Sequence, residues 1–222
     1  TNALEFAINI AGAKGHGTDR GTLTAITTYL HSGHGMHYDT TNGAPHFVDG
    51  KGCGNVNLSG YMRGGAIVNC YDQAGAVVAL GRCVGAQARY GYRIPFGYIN
   101  LVNLVGVGMC NNPFFLNSNI RCNCSPIVGS DEGYPRRSAF GNHAVAMLNK
   151  DVFDACAGPI VGTPVGQYVL QVVDVSASHE QRAARNSALY EEGTIAPDWV
   201  RTNGTLQLLP NRTPIVGPTS FY

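Results

Sequence analysis

The sequence predicts an α+β fold, a helix packed on an antiparallel β-sheet. Three observations carry this. Residues 66–82 read AIVNCYDQAGAVVALGR, a short apolar run ahead of Cys70 and then Ala74, Val77, Val78 and Gly81 at the spacing of one helix face. Residues 143–156 hold two apolar runs separated by Asn149-Lys150-Asp151, the pattern of a β-hairpin. Charge is low, at 13%, and glycine is abundant, with 29 residues, which favours turns and strands over a helical bundle.

The elements follow in order. Residues 2–11 carry Ala3, Phe6, Ala7 and Ile10 on a helical face, and the glycine-rich stretch 12–17 breaks it. Thr18-Asp19 caps a second helix over 20–31, which buries Leu23, Ile26, Thr27 and Leu30. His31, His34 and His37 come next, at a spacing that invites a metal site. Glycines between them deny a rigid helix, and no acidic or cysteine ligand is fixed beside them. They are therefore expected to be loop histidines lining a groove or facing solvent, and no metal or other cofactor is expected.

Residues 39–51 read as a loop, with Asn42-Gly43 as a turn and Pro45 as a strand breaker. Residues 58–63 form a short lead-in helix. The main helix runs from Cys70 to about 80–84 and stops at Gly85. Alternation over 87–94 gives a strand, 95–97 a turn, and 98–105 a second strand. Residues 106–137 have no clear period; such an insert is expected to be functional, disulfide-tied or mobile, and its position suggests a wall of a substrate cleft. Cys110, Cys122 and Cys124 within it match no common zinc spacing, so disulfides are the expected reading. After the hairpin, 167–175 (QYVLQVVDV) reads as a strand, 179–190 as a polar surface helix, and 204–222, with Pro210, Pro214 and Pro218, as an extended tail. With 222 residues the chain is expected to be a single domain. It divides into an N-terminal helical and loop region over 1–60, a core over 61–175 and the tail.

The chemistry-bearing residues lie at particular places in this plan. Cys70 opens the main helix, where free amides and the helix dipole stabilise a thiolate and can hold an oxyanion. His143 stands near the start of one hairpin strand and Asp154 on the returning one. A turn around Asn149 would set them nearly opposite, with Cα atoms about 5 Å apart. A carboxylate there can fix the imidazole tautomer while the other ring nitrogen faces a thiol. Asp174 is a rival orienter, though only a tertiary contact would bring it near. The bland alternative makes Cys70 a buried small residue or half of a disulfide.

A cysteine at a helix start, then His and Asp on adjacent strands, resembles the transglutaminase-like branch of the papain-type cysteine enzymes. NCYDQA, followed by a helix ending in LGRCVGAQARYGY, is similar to that family's helix, Leu-Gly turn and following strand. The similarity covers roughly residues 61–105 and 138–158. The resemblance implies a transglutaminase-like/papain-like core, with Cys70 as nucleophile, His143 as general base and Asp154 as its orienter. It implies attack on an amide of a peptide or protein substrate through a thioester. Water resolving the thioester gives a cysteine peptidase or glutamine deamidase; an amine gives a protein-crosslinking transglutaminase. Hydrolysis is the expected outcome, since water is always present. A catalytically dead binding module and a zinc enzyme using His31, His34 and His37 are the rival classes. The aromatic that classical transglutaminases place near the oxyanion has no counterpart, since the only tryptophan is Trp199.

Net charge of +1 gives no electrostatic reason to expect nucleic acid or an anionic membrane. No apolar run approaches the ~18 residues that span a bilayer. The chain starts at Thr1 and shows no signal peptide, which reads as a mature or excised product. Beside Cys70 stand Cys53, Cys83, Cys110, Cys122, Cys124 and Cys156, enough for three disulfides. Glycosylation sequons occur at Asn57, Asn123, Asn203 and Asn211. Together these suggest a secreted or extracytoplasmic setting, such as that of an effector or toxin. The sequence sets no oligomeric state.

Overall fold

The fold is mixed helix and sheet, and the helix that opens with Cys70 lies at its centre. The computed structural model describes residues 2–49, 55–93, 96–116 and 140–174. In chain order the elements are α1 (Ala3–Glu5) continued by a π-helical turn (Phe6–Ile10), α2 (Asp19–Ser32), β1 (His37–Tyr38), α3 (Leu58–Tyr61), β2 (Ile67–Val68) and α4 (Cys70–Cys83). They are followed by β3 (Arg89–Arg93), β4 (Val102–Leu104), β5 (Gly108–Cys110), β6 (His143–Leu148), β7 (Asp151–Asp154), β8 (Ile160–Pro164) and α5 (Val165–Val172).

The main sheet is antiparallel, four-stranded and ordered β3-β6-β7-β8. Helix α4 packs on β6, and α2 packs on both α4 and β8. Every residue of α4 from Cys70 to Gly81 is buried. Its small apolar residues let sheet and neighbouring helices approach on all sides. Gly81 shows how tight this is: a methyl group there would collide with the Leu23 side chain of α2. Helix α2 is capped by Thr18, whose hydroxyl accepts from Gly21 N–H, and Leu23, Ile26, Thr27 and Leu30 lie on its buried side. The parallel pair β1–β2 delivers the chain to Cys70, with Asp39 N–H donating to Val68 C=O at 2.8 Å.

Several expectations are corrected. The strand expected over 167–175 is not found over its described part, 167–174; α5 occupies most of that part and buries Val165, Tyr168 and Val172 at helical spacing. The β-branched run suited a strand by composition, but strand preference reflects packing more than backbone. Asn100 secures the end of α5, its side-chain amide donating to the carbonyls of Leu170, Gln171 and Val173 at 3.2, 3.0 and 3.2 Å. The strand expected over 98–105 contracts to β4, and the supposed irregular insert begins with β5, its antiparallel partner. Gly106 lies in their turn with φ 70°, and a side chain there would strike the Met36 carbonyl and His37. Strand β8, with no strand expected there, lies at the sheet edge, where Pro164 removes no ladder bond from a central strand.

Cys70, Cys83, Cys110 and Cys156 are all free thiols, so none of the expected disulfides joins any of them. Cys53, Cys122, Cys124, Trp199, most of the insert, the 179–190 helix and the 204–222 tail fall outside the described residues. Among the described residues no helix is long and apolar enough to cross a membrane.

Candidate active site

Asn69 determines what the start of α4 offers. Its side-chain oxygen accepts from the Tyr71 and Asp72 amides, and the Asp72 carboxylate reaches back to the Asn69 amide at 3.0 Å. This capping box uses up the second and third amides of the helix. Gln73 N–H bonds to the Asn69 carbonyl. The Cys70 N–H is left pointing out of the helix with no partner among the described residues, a donor placed on the residue that carries the thiol.

Asp72 does more than complement the dipole. Its carboxylate also accepts from the amides of His46, Phe47 and Val48 at 2.9, 2.8 and 3.0 Å. Burial pushes its pKa up, and these amides oppose the push. The loop over 45–48 is thereby tied to the helix turn that holds Cys70. Gln73, the next residue, donates to Ala155 C=O at 2.8 Å and accepts from the Tyr61 hydroxyl. It ties the same turn to the chain leaving β7.

His143 and Asp154 meet as the hairpin led one to expect, with one difference. The β6–β7 register pairs Ala146 with Phe153 and Met147 with Val152 around a turn in which Asn149 has φ 56°. Continued, that register sets Val145 opposite Asp154, so His143 is Asp154's diagonal neighbour on the same face rather than its direct partner. The side chains close the gap: His143 Nε2 and Asp154 Oδ2 are 2.8 Å apart, and each residue is 1% exposed.

Asp154 is fully engaged. Its Oδ2 also accepts from the Tyr168 hydroxyl at 2.7 Å, and its Oδ1 accepts from the Cys156 and Ala157 amides at 2.7 and 3.0 Å. Burial would raise its pKa, but the imidazole charge and these donors outweigh burial and hold it below the ordinary carboxylate range. Nothing in the sequence pattern marks Tyr168, because it lies on the helix that composition disguises as a strand. Asp174, the rival orienter, follows α5 and bonds through its amide to Tyr98 C=O.

The other ring nitrogen, Nδ1, is buried and has no regular hydrogen-bond partner. The sulfur of Cys70 is its neighbour. Burial alone would lower the His143 pKa; Asp154 and Cys70 reverse that and raise it to about 10. The ring is further fixed by Phe96 and Phe140, whose centroids lie 4.6 and 5.3 Å from its own. Cys70 itself is 3% exposed, so thiol, imidazole and carboxylate share an enclosed, aromatic-walled space.

Two neighbouring thiols differ from Cys70 in setting. Burial pushes Cys110 up to about 11, and burial together with the Asp154 carboxylate holds Cys156 well above the usual thiol range. Neither faces the imidazole as Cys70 does.

The histidine trio separates. His31 is buried in α2, its Nδ1 3.1 Å from Ala155 O and its Nε2 3.1 Å from Asn103 Nδ2. His34 is buried among Phe6, Tyr29 and Tyr61, with Nε2 2.8 Å from Tyr61 O. Only His37 faces solvent. The expectation of loop histidines is thus corrected for His31 and His34, which the helix and the aromatic cluster draw into the core. Among the described residues no group of His, Cys, Asp and Glu is arranged to hold a metal ion.

A thiol beside an imidazole, a carboxylate that holds the imidazole, and a Cys70 amide with no partner among the described residues are the kinds of group that acyl transfer uses. No protein-family model matches the chain, and searches of curated proteins and of solved structures return no match either.

Proposed function

We propose that this chain is a thiol-dependent amide hydrolase with a transglutaminase-like core, acting on a peptide or protein substrate. The observation that carries the reading is the 2.8 Å bond from His143 Nε2 to Asp154, which leaves Nδ1 for the Cys70 sulfur. An antiparallel sheet that supplies His at the head of one strand and Asp at the end of the next supports the core assignment.

The steps follow from the geometry. The Cys70 sulfur adds to the amide carbon while the imidazolium Nδ1 keeps the proton. The oxygen, now negative, is held by the Cys70 N–H. His143 then gives its proton to the departing nitrogen, the C–N bond breaks, and a thioester remains. Neutral His143 takes a proton from water, the hydroxide adds, and the thiolate leaves. Asp154 keeps one ring orientation throughout and balances the imidazolium. A second reading, transfer of the acyl group to an amine, is favoured by the enclosure of the site, which limits water.

The test is mass spectrometry of a glutamine-containing protein after incubation. A gain of one mass unit, a new terminus or a higher-mass adduct separates deamidation, proteolysis and crosslinking. The Cys70→Ala and His143→Ala proteins should do none of these. Unreacted substrate together with a Cys70 thiol inert to iodoacetamide near neutral pH would leave only a binding module.

A further inference from the structure

The ladder between β3 and β6 sets Arg93 directly opposite His143. Opposite residues of an antiparallel pair have Cα atoms about 4.5–5.5 Å apart and send their side chains out of the same face. Arg93 therefore emerges beside the imidazole. It is only 8% exposed, and its Nε is buried without a hydrogen-bond partner. Among the described residues no carboxylate pairs with it; Asp154, the acid on this face, already receives His143, Tyr168 and the amides of Cys156 and Ala157.

That is a costly state. A guanidinium cannot escape it by losing its proton, and a buried charge without a counter-ion is strongly unfavourable. Burial pulls the Arg93 pKa down, and the nearby Tyr168 phenol opposes the pull only weakly, being a neutral donor to Asp154. What the position lacks among the described residues is an anion, and the fork of N–H donors fits a carboxylate in bidentate fashion.

We propose that Arg93 is the recognition group for a substrate carboxylate lying within about two residues of the amide that Cys70 attacks, since an extended chain spans about 3.5 Å per residue. This rests on the enzymatic reading above and narrows its substrate class to acidic peptides or chain ends. The carboxylate belongs either to an Asp or Glu side chain or to a C-terminus.

The probes are matched synthetic peptides: acetyl-Ala-Gln-Glu-amide against acetyl-Ala-Gln-Gln-amide, and acetyl-Ala-Gln-Gly with a free against an amidated end. Binding to the Cys70→Ala protein is measured by calorimetry, so no chemistry is required. One carboxylate peptide should bind at least about tenfold more tightly than its neutral twin, and Arg93→Met should bring that ratio close to one. The pair that shows the preference identifies the source of the carboxylate. Thermal unfolding supplies a second reading. Arg93→Met should be no less stable than its parent, because it removes a charge that has no partner among the described residues. Equal binding within both pairs, no binding by any peptide, or a clear fall in melting temperature for Arg93→Met overturns the assignment. A carboxylate preference in a protein that turns over nothing would sink only the enzymatic reading. Turnover without that preference would sink only the role of Arg93.

Discussion

Replacing Tyr168 by phenylalanine removes a single hydroxyl from the least exposed part of the site. That hydroxyl is 2.7 Å from Asp154 Oδ2, and the residue is 1% exposed, so water cannot replace it. Burial and the adjacent carboxylate raise the Tyr168 pKa well above the usual phenol range, which keeps it a donor under all working conditions. A hydrogen bond to a charged group contributes about 1.5–3 kcal/mol. Tyr168→Phe should therefore cost about 2 kcal/mol near pH 7, or a fall of about 4–8 °C in Tm for a chain of this size. The cost should depend on pH in a set direction. Asp154 has a folded pKa below its unfolded value of 3.8, so its contribution is present above about 3.8 and is lost as pH falls through the lower folded value. Once Asp154 is protonated the wild type has lost the charged bond as well, and the two proteins should converge in acid. Urea unfolding of both at pH 7 and at progressively lower pH reads this directly. A penalty that is absent at pH 7, or the same at every pH, would refute the reasoning and leave Tyr168 as packing alone.

Two more predictions follow from the same cluster. His143 titrates at about 10 in the folded protein against 6.5 for the free side chain, so across that window the native state holds an extra proton. Its contribution is complete below about 6.5 and declines as pH rises toward 10, by at most about 1.4 kcal/mol per unit; urea midpoints at pH 7, 8 and 9 that do not fall would count against a buried imidazolium. Asn69→Ala removes the acceptor for the Tyr71 and Asp72 amides and the donor to Gly43 C=O, and should cost about 1–2 kcal/mol. The same substitution should slow alkylation of Cys70, since the Tyr71 and Asp72 amides lose their acceptor and the helix start loses its tie to Gly43; an unchanged unfolding midpoint would show that the cap is dispensable.

What could be read from the sequence was local. The start of α4 is written in Cys70 and the apolar spacing after it, the cap of α2 in Thr18-Asp19, and the β6–β7 hairpin in two apolar runs around Asn149, whose positive φ of 56° fits a tight turn. Cys70, His143 and Asp154 could be singled out because each sits at the end of such an element. The remainder of the site was not legible because it depends on long-range packing. Tyr168 reaches Asp154 only because α5 folds over the sheet from the far side of β8, and Phe96 and Phe140 cap the imidazole from segments with no periodicity. His31 and His34 misled for a similar reason. Their spacing looked like ligands, yet each ring nitrogen that bonds does so to a backbone carbonyl or an asparagine brought in by the tertiary fold.

The distribution of charge is hard to explain as a means of stability. Exchanging a buried ion pair for well-packed apolar groups is often neutral or stabilising, and the core around α4 is made of residues that could fill such a space. Instead the protein encloses a His–Asp pair at 1% exposure, leaves one imidazole nitrogen unbonded beside a thiol, and keeps on the same face a guanidinium with no counter-ion among the described residues. The unpaired guanidinium raises the energy of the free protein, and under the proposed function it would be relieved by one part of a bound molecule while the thiol and the Cys70 amide engage another. In the proposed reaction a carbonyl carbon would take the sulfur, its oxygen the Cys70 amide, and an anion a residue or two away Arg93. Removing the Arg93 charge alone, with an apolar residue of similar volume, should leave a protein at least as stable as the parent at pH 7 by urea unfolding, whereas removing Asp154 orphans the Tyr168 hydroxyl and the Cys156 and Ala157 amides and should cost about 1–3 kcal/mol for each donor; a large loss in the first variant would mean that Arg93 supports the fold rather than a ligand.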